Sequence, residues 1–304
     1  MKVLALKVDV DTWRGTREGV PRLAELLQRH GADATFLFSL GPDHTGRAIK
    51  RAFRPGFMKK VSRTSVLEHY GLRTLLFGTL LPGPHIARTC ASILRDIENA
   101  GFETGIHTWD HVKWQDHVVK RPARWTHAEM NKAHDAYREI FGHDAPTHGA
   151  AGWQINEAAL RQEAAWGMRY AADTRGSHPF VPVFDNGETG CPQLPGTLPT
   201  LDELIGIGHI TSDNVAEHLL QITQTDNPTG HVFTLHAELE GMKLLPVFDT
   251  LLTGWRQQGY RLTSLAGYFA GFDTATLPKG RVGQGSVPGR SGTLAVQLPV
   301  NQDS

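Results

Sequence analysis

The stretch VLALKVDVD at residues 3–11 decides the fold class, because it has the composition of a buried β-strand and ends in two aspartates. Side chains alternate between the two faces of a strand, so Asp9 and Asp11 project on the same side. Two carboxylates this close repel each other unless a cation lies between them or one of them is protonated. The pattern predicts either a functional carboxylate pair or an ordinary strand end that runs into a polar loop.

Strand-like and helix-like patterns alternate after this stretch. Residues 17–31 have the apolar spacing of a helix and end in glycine, and residues 33–40 are predicted to form a second strand. Further helices are predicted over 85–101, 126–142, 157–167 and 244–259, and further strands over 102–107, 168–173, 231–238 and 260–265. Thr126 with Glu129 is predicted to form a capping box, and Asn156 to cap the next helix. This alternation predicts a parallel sheet or an α/β barrel, in which catalytic residues collect at the carboxyl ends of the strands.

Composition argues against several classes of protein. Lys plus Arg and Asp plus Glu both number 31, so the formal net charge is zero and no nucleic-acid partner is expected. No apolar run reaches the roughly 18 residues of a membrane span. The N-terminus has no small-residue cleavage site, which favours a strand over a signal peptide. Cys90 and Cys191 lie far from any CxxC spacing, which indicates buried, reduced thiols in a cytosolic protein.

Two segments interrupt the repeat. Residues 41–84 form a long insertion with eight Lys or Arg residues against two acidic ones, interleaved with apolar side chains. It is predicted to be a helical, basic and apolar segment that is either membrane-facing or packed on the barrel with a solvated basic face. Residues 275–304 are predicted to be a mostly disordered tail. The remainder, residues 1–270, is predicted to be one catalytic domain.

The stretch GIHTWDH at residues 105–111 supplies two more candidate residues. The chain contains 16 histidines, so an isolated H-x-x-x-H pair has little meaning. If the turn after the strand is helical, His107 and His111 face the same way and can bind one metal ion. They lie at the same predicted strand edge as the aspartates, and two histidines with one carboxylate leave coordination positions open. Asp110 is predicted to support a ligand, and Trp109 to pack or to touch substrate.

Two further residues end later strands. His236 follows the predicted strand HVFTLHAE and is either a packed core histidine or a general acid, since the pKa of histidine lies near neutral pH. Asp173, in YAADTRG, is predicted either to orient a histidine or to cap the next turn.

The order of VDVDTW (8–13), HTWDH (107–111) and TLHAE (234–238) resembles the polysaccharide deacetylase superfamily, also called the NodB-homology or carbohydrate esterase family 4-like group. The resemblance covers about residues 1–270 and implies a distorted (β/α)7-type barrel, with the insertion after the second strand. It further implies a divalent metal held by Asp11, His107 and His111. By the same resemblance, Asp9 is the catalytic base and His236 the general acid.

A narrower resemblance concerns the substrate. The stretches VDVDTWRGTREGVPRL, HGAAGW, LPTLDE and HAELEG resemble those of deformylases that act on undecaprenyl-phosphate-linked 4-deoxy-4-formamido-L-arabinose. This subgroup implies metal-assisted release of formate on the route to lipid A modification and polymyxin resistance. It also implies a peripheral location on the anionic cytoplasmic face of the inner membrane. Trp153 and Glu238 lie in these stretches and are expected to support the site or contact substrate.

The chain departs from the family pattern in ways that leave alternatives open. The aspartates alternate around Val10, so the roles of Asp9 and Asp11 could be exchanged. The third motif reads THGAAGW without the arginine that steadies the base, and Asp173 or the metal could take over its task. Zn²⁺ is expected, with Mn²⁺, Co²⁺ and Ni²⁺ also compatible. The alternative functions are deacetylation of another N-acyl sugar or saccharide, and an inactive scaffold that binds the lipid-linked sugar.

Overall fold

A computed structural model of the protein describes residues 2–48 and 74–300, which form an α/β fold around a parallel sheet. The strands are β1 (Lys2–Val10), β2 (Thr35–Ser39), β3 (Glu103–Thr108), β4 (Thr147–His148), β5 (Tyr170–Ala171), β6 (Val181–Pro182), β7 (His231–His236), β8 (Tyr260–Thr263), β9 (Lys279–Gly285) and β10 (Leu294–Pro299). The α-helices are α1 (Val20–Arg29), α2 (Ile86–Thr89), α3 (Ala91–Asn99), α4 (His111–His117), α5 (Ala123–Phe141), α6 (Glu157–Ala165), α7 (Leu201–Leu204), α8 (Val215–Ile222), α9 (Leu245–Gln257) and α10 (Leu265–Phe269). A π-helix over Gly15–Gly19 precedes α1.

The first strand pairs with three others in the seven-stranded sheet, β2, β7 and β8. The strand order is β5-β4-β3-β2-β1-β7, and β8 pairs with the N-terminal half of β1. All of these pairings are parallel. In this register Asp9 lies between Leu37 of β2 and His236 of β7. The carboxyl ends of β1, β3 and β7 therefore meet at one rim.

The sheet curls, because its two outer regions meet through a connecting segment. Leu194 donates its backbone N–H to Ala171 of β5, and Thr197 donates its own to Val232 of β7. Ala5 of β1 joins Leu194 and Val232 in one buried apolar cluster. The predicted distorted barrel is confirmed as a parallel, curled half-barrel.

The two faces of β1 serve different purposes. Leu4, Leu6, Val8 and Val10 belong to the largest buried cluster, together with the apolar faces of α1 and α9. Lys7 and Asp9 alternate with them and are buried on the opposite face. The period of two in LALKVDVD thus separates an apolar face packed on helices from a polar face inside the half-barrel.

The starts of helices α5 and α6 differ in how well the sequence predicts them. Asn156 caps α6 as predicted, because its side chain accepts a hydrogen bond from the backbone N–H of Ala159. The predicted capping box at Thr126 and Glu129 is wrong: α5 begins at Ala123 after Pro122, so both residues are buried inside the helix. A proline directly before the first helical residue marked this start more strongly than the T-x-x-E pattern.

The C-terminal segment is not the predicted disordered tail. Strands β9 and β10 form an antiparallel hairpin, and β9 pairs with β6. Leu294 and Ala295 are buried at the start of β10, so even a segment of low apolar content has enough contacts to be ordered. The hairpin lies outside the predicted 1–270 unit and packs on it.

The predicted membrane-facing insertion falls mostly on residues 49–73, which lie outside the described residues. Of its flanks, residues 74–76 form a short 3-10 helix, Thr74–Leu76. Within the described part of the chain, no helix combines the length and the hydropathy needed to cross a bilayer.

Candidate active site

Three charged side chains follow one another along the polar face of β1. Nζ of Lys7 lies 2.7 Å from Oδ2 of Asp9, and both side chains are almost fully buried. Asp11 follows two residues later, at the rim. Lys7 therefore steadies Asp9 from the same strand, and the expectation that Asp173 does so is not met, because Asp173 pairs with His148.

Asp11, His107 and His111 form a group that could hold a metal ion. One ligand atom from each lies within 4.8 Å of the others. Nε2 of His107 is 3.2 Å from Oδ1 of Asp11, and Nε2 of His111 is 3.4 Å from Oδ2. The three predicted ligands thus converge at the carboxyl ends of β1 and β3.

The histidines converge for a different reason from the one predicted. They do not share a helix: His107 lies in β3 and His111 is the first residue of α4. Asp110 sets the start of that helix, because its carboxylate accepts a hydrogen bond from the backbone N–H of Lys113. Its other oxygen lies 2.6 Å from Nδ1 of His44. Asp110 therefore supports the metal group by fixing the turn between its two histidines.

Two features of the group fit a divalent cation. Nδ1 of His107 lies 2.6 Å from the carbonyl oxygen of Gly149, which can only accept, so the proton is on Nδ1 and Nε2 is free to bind metal. Burial opposes ionisation of Asp11, but the neighbouring imidazoles of His111 and His107 outweigh it and hold the pKa of Asp11 well below its usual range. Imidazole nitrogens that face an ionised carboxylate are the donor set of a metal site.

His236 lies on the other side of Asp9. It ends β7 directly opposite Asp9, and its backbone N–H donates to Oε2 of Glu240 at 2.7 Å. Burial by itself would lower the pKa of His236, but the carboxylates of Asp202 and Asp11, followed by those of Glu240 and Asp9, raise it above the usual value. His236 is thus suited to hold a proton beside the predicted base.

Glu238 holds the turn that carries Asp11. Its Oε1 accepts hydrogen bonds from the backbone N–H of Asp11, and from the N–H and hydroxyl of Thr12. Burial, followed by the charge of Asp11, raises the pKa of Glu238 to about 8. A side chain at Gly15 would place its Cβ 2.0 Å from Oε1 of Glu238, so this close approach requires glycine. Glu238 acts through Asp11 and does not join the three ligands.

Asp173 belongs to a second buried group. Nδ1 of His148 lies 2.8 Å from both Oδ1 of Asp173 and Oε1 of Glu163. Asp173 also accepts the backbone N–H of Ala150. These three side chains could also hold a metal ion by distance, but His148 already pairs with both carboxylates. Asp173 therefore orients a histidine, as one alternative predicted, although that histidine is His148 and not one of the converging pair.

The two tryptophans have different surroundings. Trp109 packs partly buried on the main core, with its ring 5.0 Å from that of His85. Trp153 is buried beside Lys7, Arg175 and Arg290, which lie within cation–π distance of its ring.

Sequence reasoning missed Lys7, Arg175 and Arg290. Lys7 had a detectable signal, because a lysine inside the apolar stretch LALKVDVD shares its strand face with Asp9. Arg175 and Arg290 had no such signal, since they are more than one hundred residues apart in the sequence and come together at Trp153 and Glu203 in the fold.

Comparison with known proteins gives matches over most of the chain. The polysaccharide deacetylase family matches residues 1–171. A protein of Shewanella sediminis named as a probable 4-deoxy-4-formamido-L-arabinose-phosphoundecaprenol deformylase is 41% identical over 82% of this chain and 80% of its own. A protein of the same name from Wigglesworthia glossinidia brevipalpis is 31% identical over 94% of this chain and 99% of its own.

Solved structures agree on the fold. A polysaccharide deacetylase family structure from Mycobacterium smegmatis superposes with a TM-score of 0.63 over 94% of this chain and 96% of its own, at 14% identity. The PuuE allantoinase superposes with a TM-score of 0.60 over 88% of this chain and 89% of its own, at 12% identity. At such identities the similarity supports the architecture alone.

Proposed function

Since the chain belongs to the polysaccharide deacetylase family, we propose that it is a metal-dependent amide hydrolase that deformylates undecaprenyl-phosphate-linked 4-deoxy-4-formamido-L-arabinose. The observation that carries the proposal is the convergence of Asp11, His107 and His111 beside the buried Asp9, with His236 opposite. The two deformylase-named relatives support the formamide substrate. The reaction would serve lipid A modification and polymyxin resistance.

Each residue at the rim has a task in this reaction. Asp11, His107 and His111 hold the metal, with Asp11 as ligand and Asp9 as base because Asp11 is the carboxylate that faces both imidazole Nε2 atoms. We assign Zn²⁺ to this donor set, although Mn²⁺, Co²⁺ and Ni²⁺ suit the same ligands. The bound ion would supply Lewis acidity, which polarises the formyl oxygen and makes water easier to deprotonate.

The chain's own side chains move the protons. Oδ1 of Asp9 is buried and has no hydrogen-bond partner among the described residues, whereas Oδ2 is fixed by Lys7. Asp9 therefore takes the proton of the attacking water on Oδ1. As the C–N bond breaks, His236 gives its proton to the departing nitrogen. Formamide and water thus become the free amine and formic acid. Formic acid ionises to formate and its proton is taken up by the amine, while the proton on Asp9 returns to His236 for the next turnover.

Formate release from defined amino sugars tests the function. The purified protein, loaded with Zn²⁺, should release formate from the formamido-arabinose phosphodiester of a short prenol. It should release acetate from the matching acetamido compound at least about tenfold more slowly, a difference of about 1.4 kcal/mol in the activation barrier.

Two results would replace the proposal. Faster acetate release would make the protein a deacetylase of another N-acyl sugar. Binding of the sugar-phospholipid without release of either acid, from protein whose metal content is confirmed, would make it an inactive scaffold.

The membrane location is a further part of the proposal. The lipid-linked substrate requires access to a bilayer surface, and residues 41–84 have the basic and apolar composition of a peripheral anchor. In flotation assays the full chain should rise with vesicles containing anionic lipid, and a variant with Lys59 and Lys60 changed to glutamate should rise less. If the full chain does not float with anionic vesicles, the proposed membrane location is wrong, whereas the proposed deformylase activity is unaffected.

A further inference from the structure

Three cationic side chains surround the ring of Trp153. Nζ of Lys7 and Cζ of Arg175 lie 5.1 Å from the ring centroid, and Cζ of Arg290 lies 4.6 Å from it. Trp153 is 1% exposed and has a φ of 54°, in the left-handed region that a bulky residue rarely adopts. The backbone therefore accepts strain at the residue that brings these cations together, as is typical of functional sites.

Two of these cations share one carboxylate. Nη1 of Arg175 lies 2.7 Å and Nη1 of Arg290 lies 3.3 Å from the same oxygen, Oε1 of Glu203. Two guanidinium groups against one carboxylate leave a net positive charge. The two guanidinium groups repel each other, and this repulsion is strong because they are largely buried. An anion bound on their solvent side would offset the repulsion.

Arg290 is the member of the pair that can reach a ligand. Arg175 is held by both oxygens of Glu203 and also donates to the carbonyl oxygens of Gly196 and Leu198. Arg290 makes one long contact with Glu203, and its side chain remains 15% exposed. A guanidinium has five N–H donors, so Arg290 keeps donors for a further acceptor.

The turn that carries Arg290 is fixed against the site. Gly289, with a φ of 81°, lies so close to α7 that a Cβ there would be 2.1 Å from the carbonyl oxygen of Glu203. On the other side of Arg290, the carbonyl oxygen of Thr293 accepts a hydrogen bond from the Gln154 side chain at 2.7 Å. The hairpin β9–β10 thus delivers Arg290 to Trp153 in a defined position.

The cation pair is close to the predicted base. Lys7 contacts both the ring of Trp153 and the carboxylate of Asp9, and Arg290 contacts the same ring, so Arg290 is linked to Asp9 through Trp153 and Lys7. A pentose whose 4-formamido group lies between Asp9 and His236 carries its anomeric phosphate on the other side of the sugar ring. The phosphate therefore extends away from Asp9 and needs a cationic partner beyond the catalytic residues, and Arg290 is a cation linked to them through Trp153 and Lys7.

We propose that Arg290, held in place by Trp153 and Glu203, binds the phosphodiester anion of the substrate and selects phosphate-linked sugars over neutral ones. The planar donor fork of arginine matches two phosphate oxygens, which favours it over a point charge for this task. The inference rests on the proposed deformylase function, because it assigns a site to the phosphate of that substrate. Inorganic phosphate and anionic lipid headgroups present similar oxygens, so the test includes both.

The kinetic test compares two formamido-arabinose substrates, the short-prenol phosphodiester and the neutral methyl glycoside. The wild-type protein should prefer the phosphodiester in kcat/KM, and Arg290→Gln should reduce this preference about tenfold or more, mainly through KM. Arg290→Lys keeps the charge, so its preference for the phosphodiester should lie between those of the wild-type and Arg290→Gln proteins. Arg281→Gln is the matched control, since Arg281 lies on the same hairpin, pairs with Asp185 and is 42% exposed. An unchanged preference in a folded Arg290→Gln protein would overturn the inference.

A binding test separates this inference from the proposed function. The short-prenol phosphodiester of unmodified arabinose has no formyl group, and calorimetry should show its Kd raised at least about tenfold by Arg290→Gln. Inorganic phosphate and phosphatidylglycerol vesicles should bind the wild-type and Arg290→Gln proteins with equal affinity. If Arg290→Gln weakens the binding of inorganic phosphate or of vesicles as much as that of the arabinose phosphodiester, the assignment of Arg290 to the substrate is overturned. Binding of the arabinose probe that depends on Arg290, without any formate release, would overturn the proposed function and leave this site in place.

Discussion

Replacing His107 with alanine should abolish both tight metal binding and formate release. Nε2 of His107 is 3.2 Å from Asp11, and its Nδ1 is oriented by the carbonyl oxygen of Gly149, so alanine removes one of three ligands together with the contact that orients it. Two remaining ligands from the protein are too few to hold a Zn²⁺ ion tightly. We expect bound metal to fall below about one tenth of an equivalent and kcat to fall by a factor of about 10³ or more.

The controls for this prediction separate ligation from folding. His107 is buried, so its replacement also costs a hydrogen bond worth about 1 kcal/mol of unfolding free energy. His111→Ala should lose metal without losing the Gly149 contact, since His111 is 17% exposed and lies on a different element. His143→Ala, at a histidine that pairs with Glu98 on the surface, should keep full metal content and activity. Elemental analysis, thermal unfolding and formate release are measured on all three. Full activity of metal-stripped His107→Ala protein would refute the metal site.

The candidate base, acid and metal ligands predicted from the sequence share a property: each lies at a strand end or within three residues after one. Asp9 and Asp11 were found because a period of two places them together, and His107 and His111 because a four-residue spacing follows a strand. The structure brings the two histidines together although they do not share a helix, because the end of β3 and the start of α4 are joined by the short turn at Asp110. Parallel-strand topology thus brings such residues together without knowledge of local geometry.

The residues that were missed depend on contacts that no local pattern encodes. Arg290 reaches the site only because β10 pairs with β9 and the turn between them packs on Glu203. The composition of residues 275–304 indicated disorder, since a hairpin of mostly polar residues is stable only when another surface covers it. The hairpin is held by β6, which pairs with β9, and by the backbone of Arg175, which bonds to Ala295 and Gln297 of β10. Ala295 also packs in a buried apolar cluster, and none of these partners can be read from the composition of the segment.

Lys7→Met should lower kcat to within about tenfold of the loss in Asp9→Asn, although Lys7 is fully buried and is not one of the three proposed metal ligands. Its ammonium fixes Oδ2 of Asp9 at 2.7 Å in a buried location, so Oδ1 is held toward the rim where water must lose its proton. Removing one partner of a buried ion pair leaves the other charge uncompensated, which lowers the free energy of unfolding by about 3–5 kcal/mol. We expect kcat to fall about 10²- to 10³-fold in Lys7→Met and about 10³- to 10⁴-fold in Asp9→Asn.

Non-additivity distinguishes a positioning role of Lys7 from a general structural one. Because Lys7 acts through Asp9, the double variant should be no slower than Asp9→Asn within about threefold, and not slower by the product of the two effects. KM and metal content should change little in each variant, since neither side chain is among the three ligands. Lys7→Arg, which keeps a charged donor, should retain more activity than Lys7→Met. If the two losses multiply in the double variant while the protein stays folded, Lys7 does not act through the base, and the role of the missing family arginine must lie elsewhere in the chain.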